Sequence, residues 1–346
     1  MGANEDVQRR IAQLGARGNL SRAEARALFE SIMTGAATDA QIGAVLMGLK
    51  VKGETVDEIV GAVEAMRGLS EKVPVELAYL VDTCGTGGSG HAKLFNISTA
   101  AAFVAAAAGA HVAKHGNRGM TSKSGSADVL EAAGVNLNLT PLQIARCIRE
   151  AGVGFMFAPA HHRAMKHAAG VRRELGTRTI FNVLGPLTNP ASAPNQVIGV
   201  FAAEWLETLA LVLQQLGSRH VMLVHADGLD ELSIAGPSEV VELKAGKISR
   251  YSITPTDFGI DFAPLEGLYA DSPAASLALL DQSLNEPDST AAQIVALNAG
   301  AAIYVSGVAT SLANGITMAH DAIASGLANE RLGELVRITS LMGERR

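Results

Sequence analysis

At 346 residues the chain exceeds one typical domain, so a large domain with a smaller companion is expected. It is 48% apolar, has few aromatics and carries a formal charge of −6 with no block of like charge. That balance excludes a general nucleic-acid surface and requires a local basic pocket for any anionic ligand.

Cys84 and Cys147 lack metal-ligand spacing and fit a reduced, cytoplasmic compartment. The N-terminal residues have no apolar signal core. The most apolar stretch, 100–113, is too short and Ala-rich to span a bilayer, so no membrane association is expected.

The first seventy residues predict a small bundle of three or four helices. Ser21-x-x-Glu24, Thr38-x-x-Gln41 and Thr55-x-x-Glu58 have the form of capping boxes. Gly35, Gly53 and Gly68 stand where left-handed C-caps would sit. Ile42, Val45, Leu46 and Leu49 recur at helical spacing.

From residue 78 onward, short β-like runs alternate with helical ones. The strands are read at 79–83, 111–114, 154–157, 179–182, 197–201 and 220–225. Helices are read at 97–109, 127–133, 141–151 and 204–216, the third opening on a capping box, Thr140-Pro141-Leu142-Gln143. Alternation of this kind predicts an α/β domain with a largely parallel sheet. Runs at 240–243 and 248–253 flank Ala245-Gly246-Lys247 as a hairpin, and helical runs at 291–304 and 312–325 close the domain.

Gly85-Thr86-Gly87-Gly88-Ser89-Gly90 lies between a strand-like run and a helix-like run. Such a loop exposes backbone N–H groups, and the following helix N-terminus completes an anion cradle. Asn96 is placed to cap that helix, with Ser98 and Thr99 in its first turn. The glycine pattern also fits a dinucleotide fingerprint, but the acid expected on the next strand is replaced by Lys114-His115, which disfavours hydride chemistry. No Gly-Lys-Ser/Thr closes the loop, so it is not a P-loop.

Residues 114–126 hold three cations, one histidine and four hydroxyls. They read as a flexible arm able to fold over phosphate, although Ser126 could simply cap the next helix. His161, His162 and His167 do not share one helical face and read as partly buried polar groups near a helix start. Either Arg172 or Arg173 could bind a carboxylate in bidentate fashion, the other forming a surface ion pair. Asp230 and Glu231, after a strand, suit Mg²⁺ or form a solvated acidic turn.

These motifs, in this order, resemble the anthranilate phosphoribosyltransferases of tryptophan biosynthesis, nearly end to end. The resemblance rests on residues 38–44, the glycine loop, 96–99, 114–118, 122–128, 161–190 and 228–237. It implies a small helical domain, 1–75, with part of 165–190 packing back on it. It also implies an α/β domain at 76–346 like that of pyrimidine nucleoside phosphorylases, an active cleft between the two and a homodimer formed through the helical domain. The implied reaction is the second step of tryptophan synthesis from chorismate: transfer of the phosphoribosyl group of phosphoribosyl pyrophosphate (PRPP) to the anthranilate amine, with release of pyrophosphate.

Carried over by motif, Gly85, Gly88, Ser89, Asn96, Ser98, Thr99, Lys114, Gly116, Asn117, Ser122 and Ser126 would contact PRPP. Gly85, Asn117 and Arg172 would contact anthranilate. Ser98, Asp230 and Glu231 would serve Mg²⁺, expected as two ions per subunit. An aniline nitrogen is uncharged at neutral pH and needs no strong base, so no catalytic residue is assigned beyond His115 as candidate proton relay. The chain departs from the family at Ser89, usually Asp, and in residues 91–95, one residue longer than usual. It departs again at Ala160 and Arg163, usually Asn and Pro. A related nucleoside phosphorylase and a non-catalytic nucleic-acid-binding relative are the competing readings. The motifs at 114–118 and 228–233 oppose the first and the negative charge opposes the second.

Overall fold

The computed structural model describes residues 3–87, 94–119 and 124–343. It opens with four helices, α1 (Ala3–Gly15), α2 (Arg22–Met33), α3 (Asp39–Lys52) and α4 (Val56–Leu69). All three expected capping boxes form. At α3, the Thr38 N–H donates to Gln41 Oε1 at 2.9 Å while Thr38 Oγ1 accepts from the Gln41 N–H at 3.3 Å. At α4 the capping acid does more than cap. Glu58 is fully buried, pairs with Lys52 at 2.9 Å and accepts from the Leu20 N–H at 2.9 Å. Gly53 is the C-cap of α3, and Gly35 follows the cap of α2 with positive φ. Gly68 instead lies within the last turn of α4, which ends at Ser70.

The remaining described residues form a seven-stranded sheet in the order β3-β2-β1-β4-β5-β6-β7. The strands are β1 (Leu80–Gly85), β2 (His111–Gly116), β3 (Val153–Phe157), β4 (Asn195–Gly199), β5 (His220–His225), β6 (Ser238–Lys244) and β7 (Lys247–Ile253). The first five are parallel, and β6 and β7 add an antiparallel hairpin as expected. Crossover helices are α5 (Ile97–Ala107), α6 (Ser126–Ala132), α7 (Pro141–Glu150), α8 (Ala158–His161), α9 (Lys166–Leu175), α10 (Phe181–Leu184) and α11 (Trp205–Gln215). Helices α12 (Pro273–Asn285), α13 (Thr290–Ser306), α14 (Leu312–Ala324) and α15 (Leu327–Gly343) complete the fold.

Residues 179–182, expected as a strand, do not form one. The Asn182 side chain accepts from the Thr179 N–H at 3.0 Å and closes a helical turn that runs into α10. Phe181 then packs edge-on against Phe29 of α2, with ring centres 5.8 Å apart. β4 begins at Asn195 and ends at Gly199, two residues earlier at each end than the sequence predicts. The sequence reading places no helix at α12 or α15.

Two large clusters make up most of the core. One fills the space between the sheet and α5, α13, α14 and α15. The other joins α1–α4 and α9–α11 to the opposite face of the sheet. Ile59, Val60 and Val63 of α4 lie in the second cluster at zero exposure, each burial contributing about 1.5–3 kcal/mol before entropy is counted. α9 packs against α2 and α3, so the segment carrying Arg172 lies on the helical bundle.

Chain progression reverses at β1: β2 and β3 lie on one side, β4 and β5 on the other. Ligands of open α/β sheets bind beyond the strand C-termini at such a switch point. The strand ends facing it are those of Gly85, Gly116, Gly199 and His225.

Candidate active site

At the end of β1 the chain turns against β4. The Thr86 N–H donates to Gly199 O at 2.9 Å, and Thr86 Oγ1 accepts from the Phe201 N–H at 3.0 Å. After β5, Ala226 and Leu229 pair across a tight turn in which Asp227 and Gly228 have φ of 41° and 80°. This turn swings Asp230 back over β1 and β4. A Cβ on Gly199 would lie 1.6 Å from Asp230 O, and one on Gly85 would lie 2.5 Å from Asp230 Oδ2. At Gly199 the clash is with backbone and only glycine fits, whereas a Cβ on Gly85 would push the Asp230 carboxylate aside. Asn298 of α13 secures the segment: Oδ1 accepts from the Leu232 N–H and Nδ2 donates to Leu232 O, both at 2.9 Å.

The acidic pair thereby meets the glycine loop and the start of α5. Asp230 Oδ2 accepts from the Gly87 N–H at 2.8 Å, and Glu231 Oε1 accepts from the Ser98 N–H at 3.3 Å. Desolvation, then the neighbouring Asp230 charge, pushes the Glu231 carboxyl up to about 8, with Lys114 and Ser98 opposing. A carboxyl kept from ionising beside a second carboxylate would give up its proton to a cation placed between them. Among the described residues no cluster of three or more acidic, His or Cys side chains surrounds them. That donor set fits Mg²⁺, which takes one or two carboxylates and leaves the rest of its sphere to phosphate and water.

The anion cradle is partly filled from within. Besides the two amides held by the acids, the Ile97 and Thr99 N–H groups donate to Phe95 O and Asn96 O at 2.8 and 3.0 Å. Thr99 is 1% exposed, and its hydroxyl has no partner among the described residues. Lys114 lies within β2 at 2% exposure; Nζ donates to Thr83 O at 2.5 Å and Ser98 Oγ at 3.3 Å. Burial lowers its pKa while Asp82 pulls the other way. Asp82, itself fully buried, accepts from the His115 N–H at 3.1 Å and from Asn189 Nδ2 at 2.7 Å.

Asn96 stands at the N-cap of α5, but its side chain does not cap the helix. Its Oδ1 accepts instead from Ser124 Oγ at 3.1 Å and Ser276 Oγ at 2.7 Å. Gly116 ends β2 against Ser126, whose Oγ donates to Asn117 O at 3.4 Å. Ser126 is the first residue of α6 rather than its cap; Asp128 accepts from the Gly125 N–H at 2.8 Å in that role. Arg118, expected among the cations of the arm, is paired with Asp128 and Glu131 and lies over the Phe157 ring. It is therefore neutralised rather than offered to phosphate.

His115 packs its ring 5.1 Å from that of His162. Burial, then the two neighbouring histidines, holds His115 well below the ordinary imidazole range. Burial and His161 bring His162 to about 4. His115 also bonds to the Gly185 backbone, and its Nε2 has no partner among the described residues. Arg172 is half-buried on α9, stacked 5.1 Å over Phe181, and no carboxylate pairs with it among the described residues. Burial lowers its pKa. Arg173 is the exposed one of the pair.

Direct hydrogen bonds thus unite Ser98, Lys114, Asp230 and Glu231 with the glycine loop, which closes on Asp230 at Gly85. A second group unites Asn96, Ser124 and Ser276, and a third unites Gly116, Asn117 and Ser126. No hydrogen bond among the described residues joins Arg172 to any of them. Gly88, Ser89 and Ser122, and residues 91–93 of the longer stretch 91–95, lie outside the described residues. Sequence reasoning missed Asp82, Asn189, Ser276 and Asn298. A carboxylate in the middle of an apolar strand was a usable signal for Asp82; Ser276 and Asn298 gave none, because their partners lie about 180 and 66 positions away.

Residues 8–70 match the helical bundle domain of a glycosyl transferase family, and residues 77–329 match its α/β domain. The chain is 57% identical over 336 residues to the anthranilate phosphoribosyltransferase of Thioalkalivibrio sulfidiphilus, covering 97% of this chain and 99% of that one. It superposes on the crystal structure of anthranilate phosphoribosyltransferase from Thermus thermophilus with a TM-score of 0.91 at 42% identity, covering 95% of this chain and 99% of that one. The Saccharomyces cerevisiae enzyme in complex with PRPP and Mg aligns with a TM-score of 0.86 at 25% identity, covering 96% and 98%. The chain belongs to the anthranilate phosphoribosyltransferase family of glycosyl transferases.

Proposed function

We propose that this protein transfers the phosphoribosyl group of PRPP to the amine of anthranilate, giving N-(5-phosphoribosyl)anthranilate and pyrophosphate. The observation that carries the reading is the meeting of Asp230 and Glu231 with the glycine loop and the start of α5 at the switch point. The relatives' shared activity supports it, as does the yeast complex with PRPP and Mg.

In the reaction the bond from ribose C1 to the pyrophosphate oxygen breaks, a bond from C1 to the amine nitrogen forms and the amine loses a proton. Asp230 and Glu231, with Ser98 beside them, would hold Mg²⁺, which when bound offsets the charge developing on pyrophosphate. Two ions per subunit are proposed. Asn96 and Lys114 supply donors toward the phosphates; Gly85, Gly88, Ser89, Ser98, Thr99, Gly116, Asn117, Ser122 and Ser126 line the same site in this reading. Arg172 pairs with the anthranilate carboxylate, with Gly85 and Asn117 beside the ring. His115 remains the candidate relay for the amine proton; burial keeps its ring neutral and weakly basic.

The chain divides into a helical domain at 1–75, joined by part of 165–190, and an α/β domain at 76–346. The two family matches support this division. A homodimer through the helical domain is proposed, with the exposed Val51 and Leu69 as apolar surface for it. A cytoplasmic location fits the two unpaired cysteines. No helix among the described residues is long and apolar enough to cross a membrane.

The test is loss of anthranilate fluorescence with purified protein, PRPP and Mg²⁺, against controls with EDTA and without PRPP, the product being identified by mass. Metal- and PRPP-dependent loss with the expected product supports the reading. A folded protein giving no turnover overturns it and directs the search to other amine acceptors.

A further inference from the structure

Ser276 lies in the first turn of α12, about 180 positions from Asn96, at zero exposure. Its hydroxyl engages Asn96 twice: Oγ donates to Asn96 Oδ1 at 2.7 Å and accepts from the Asn96 N–H at 3.1 Å. Ser124 Oγ donates to the same Oδ1 at 3.1 Å. A carbonyl oxygen has two lone pairs, and two hydroxyl protons fill them. Turned over, the amide would leave both hydroxyl protons to find other acceptors, so this orientation is the better satisfied one. Its other end, Nδ2, is left with no protein partner among the described residues, on a residue that keeps some exposed surface.

We propose that Ser276 is a positioning residue that fixes the Asn96 amide with its nitrogen directed at the donor substrate's phosphates. The proposal rests on the PRPP reading of the site. It assigns α12 a part in binding, through a residue that does not itself touch substrate. Ser276 also fixes the backbone at Asn96, so the same hydroxyl sets where α5 begins. Ser124 comes from the segment following residues 120–123, and the shared oxygen ties that segment and α12 to one amide.

The experiment is steady-state kinetics of the wild type, Ser276→Ala, Asn96→Ala and the double variant, with thermal melting of each. Ser276→Ala is expected to raise the KM for PRPP about tenfold, the effect of one misdirected hydrogen bond, and to leave the KM for anthranilate unchanged. Ser276→Cys, nearly the same volume with a weaker donor, should shift it in the same direction by less. In the Asn96→Ala background, Ser276→Ala should raise the KM for PRPP far less than in the wild type, because the amide it positions is gone and only its bond to the residue-96 N–H remains. An unchanged KM for PRPP in Ser276→Ala overturns the proposal. So does a full additional loss in the double variant, which would mark a purely structural role. A wild type that does not turn over PRPP would instead defeat the functional reading beneath it.

Discussion

Arg172 is the clearest single cation offered to a ligand: half-buried, stacked on Phe181 and unmatched by any carboxylate among the described residues. Arg172→Ala should raise the KM for anthranilate by one to two orders of magnitude, as loss of a charge-assisted contact does, and change that for PRPP far less. Equal effects on both constants would remove the carboxylate role. The buried histidines make a second prediction. His162 titrates near 4 when folded and near 6.5 when unfolded, as an ordinary imidazole does. Above pH 6.5 both states leave it neutral and its contribution is complete. Between about 6.5 and 4 the unfolded chain takes up a proton that the folded one refuses, so stability falls as pH falls, by on the order of 3 kcal/mol. His115 acts with the same sign. Denaturant unfolding at pH 7.5 and 5 should show about 2 kcal/mol of this loss, and His162→Gln should shrink it. Glu242, held near 2 by His220, Tyr251 and Tyr304, loses its contribution only below the usual carboxylate range, so the two effects separate on the pH axis.

At the scale of elements, the site depends on how closely the loop after β5 rides over the ends of β1 and β4. Gly199 makes that approach possible, since a Cβ there would overlap the Asp230 carbonyl oxygen. Gly199→Ala should therefore displace Asp230, cost ~1–3 kcal/mol in stability and raise the Mg²⁺ concentration needed for half-maximal rate. A magnesium titration unchanged from wild type would detach this contact from the metal site. The long-range clamp by Asn298 explains why α13, remote in sequence, belongs to the same structural unit as the acidic turn.

At the scale of the molecule, the two proposed substrate sites rest on different supports. The phosphate side is built on the sheet and α5, whereas Arg172 is carried by α9, which packs on the helical bundle. The second core cluster joins the two, and backbone bonds tie the linker between them: the Glu71 N–H donates to His161 O at 2.9 Å and the Val73 N–H to Pro190 O at 3.1 Å. PRPP with Mg²⁺ should stabilise the whole protein by mass action, about 2.7 kcal/mol at a hundredfold excess over Kd. A melting temperature unmoved by PRPP and Mg²⁺ together would count against binding at this site. Light scattering should give twice the chain mass if the helical domain dimerises, and a single chain mass would refute that contact.

Much of this protein was determined by its sequence alone. Capping boxes, left-handed glycines at Gly35 and Gly53, and the alternation of short apolar runs with helical ones are local signals; they specified the bundle, the parallel sheet and the hairpin. The glycine loop, the basic strand end and the acidic turn named the chemistry, because their residue types carry it wherever they fold. The tertiary structure decided what those residues are free to do. It buried Lys114 and Thr99, paired Arg118 with Asp128 and Glu131 of α6, and turned the Asn96 side chain from a helix cap into an acceptor for Ser124 and Ser276. It also brought in Asp82, Asn189, Ser276 and Asn298, whose roles depend on partners far along the chain. Local sequence encodes backbone preference within a few residues. Hydrogen-bond partners and solvation are set by elements that meet only when the chain closes on itself.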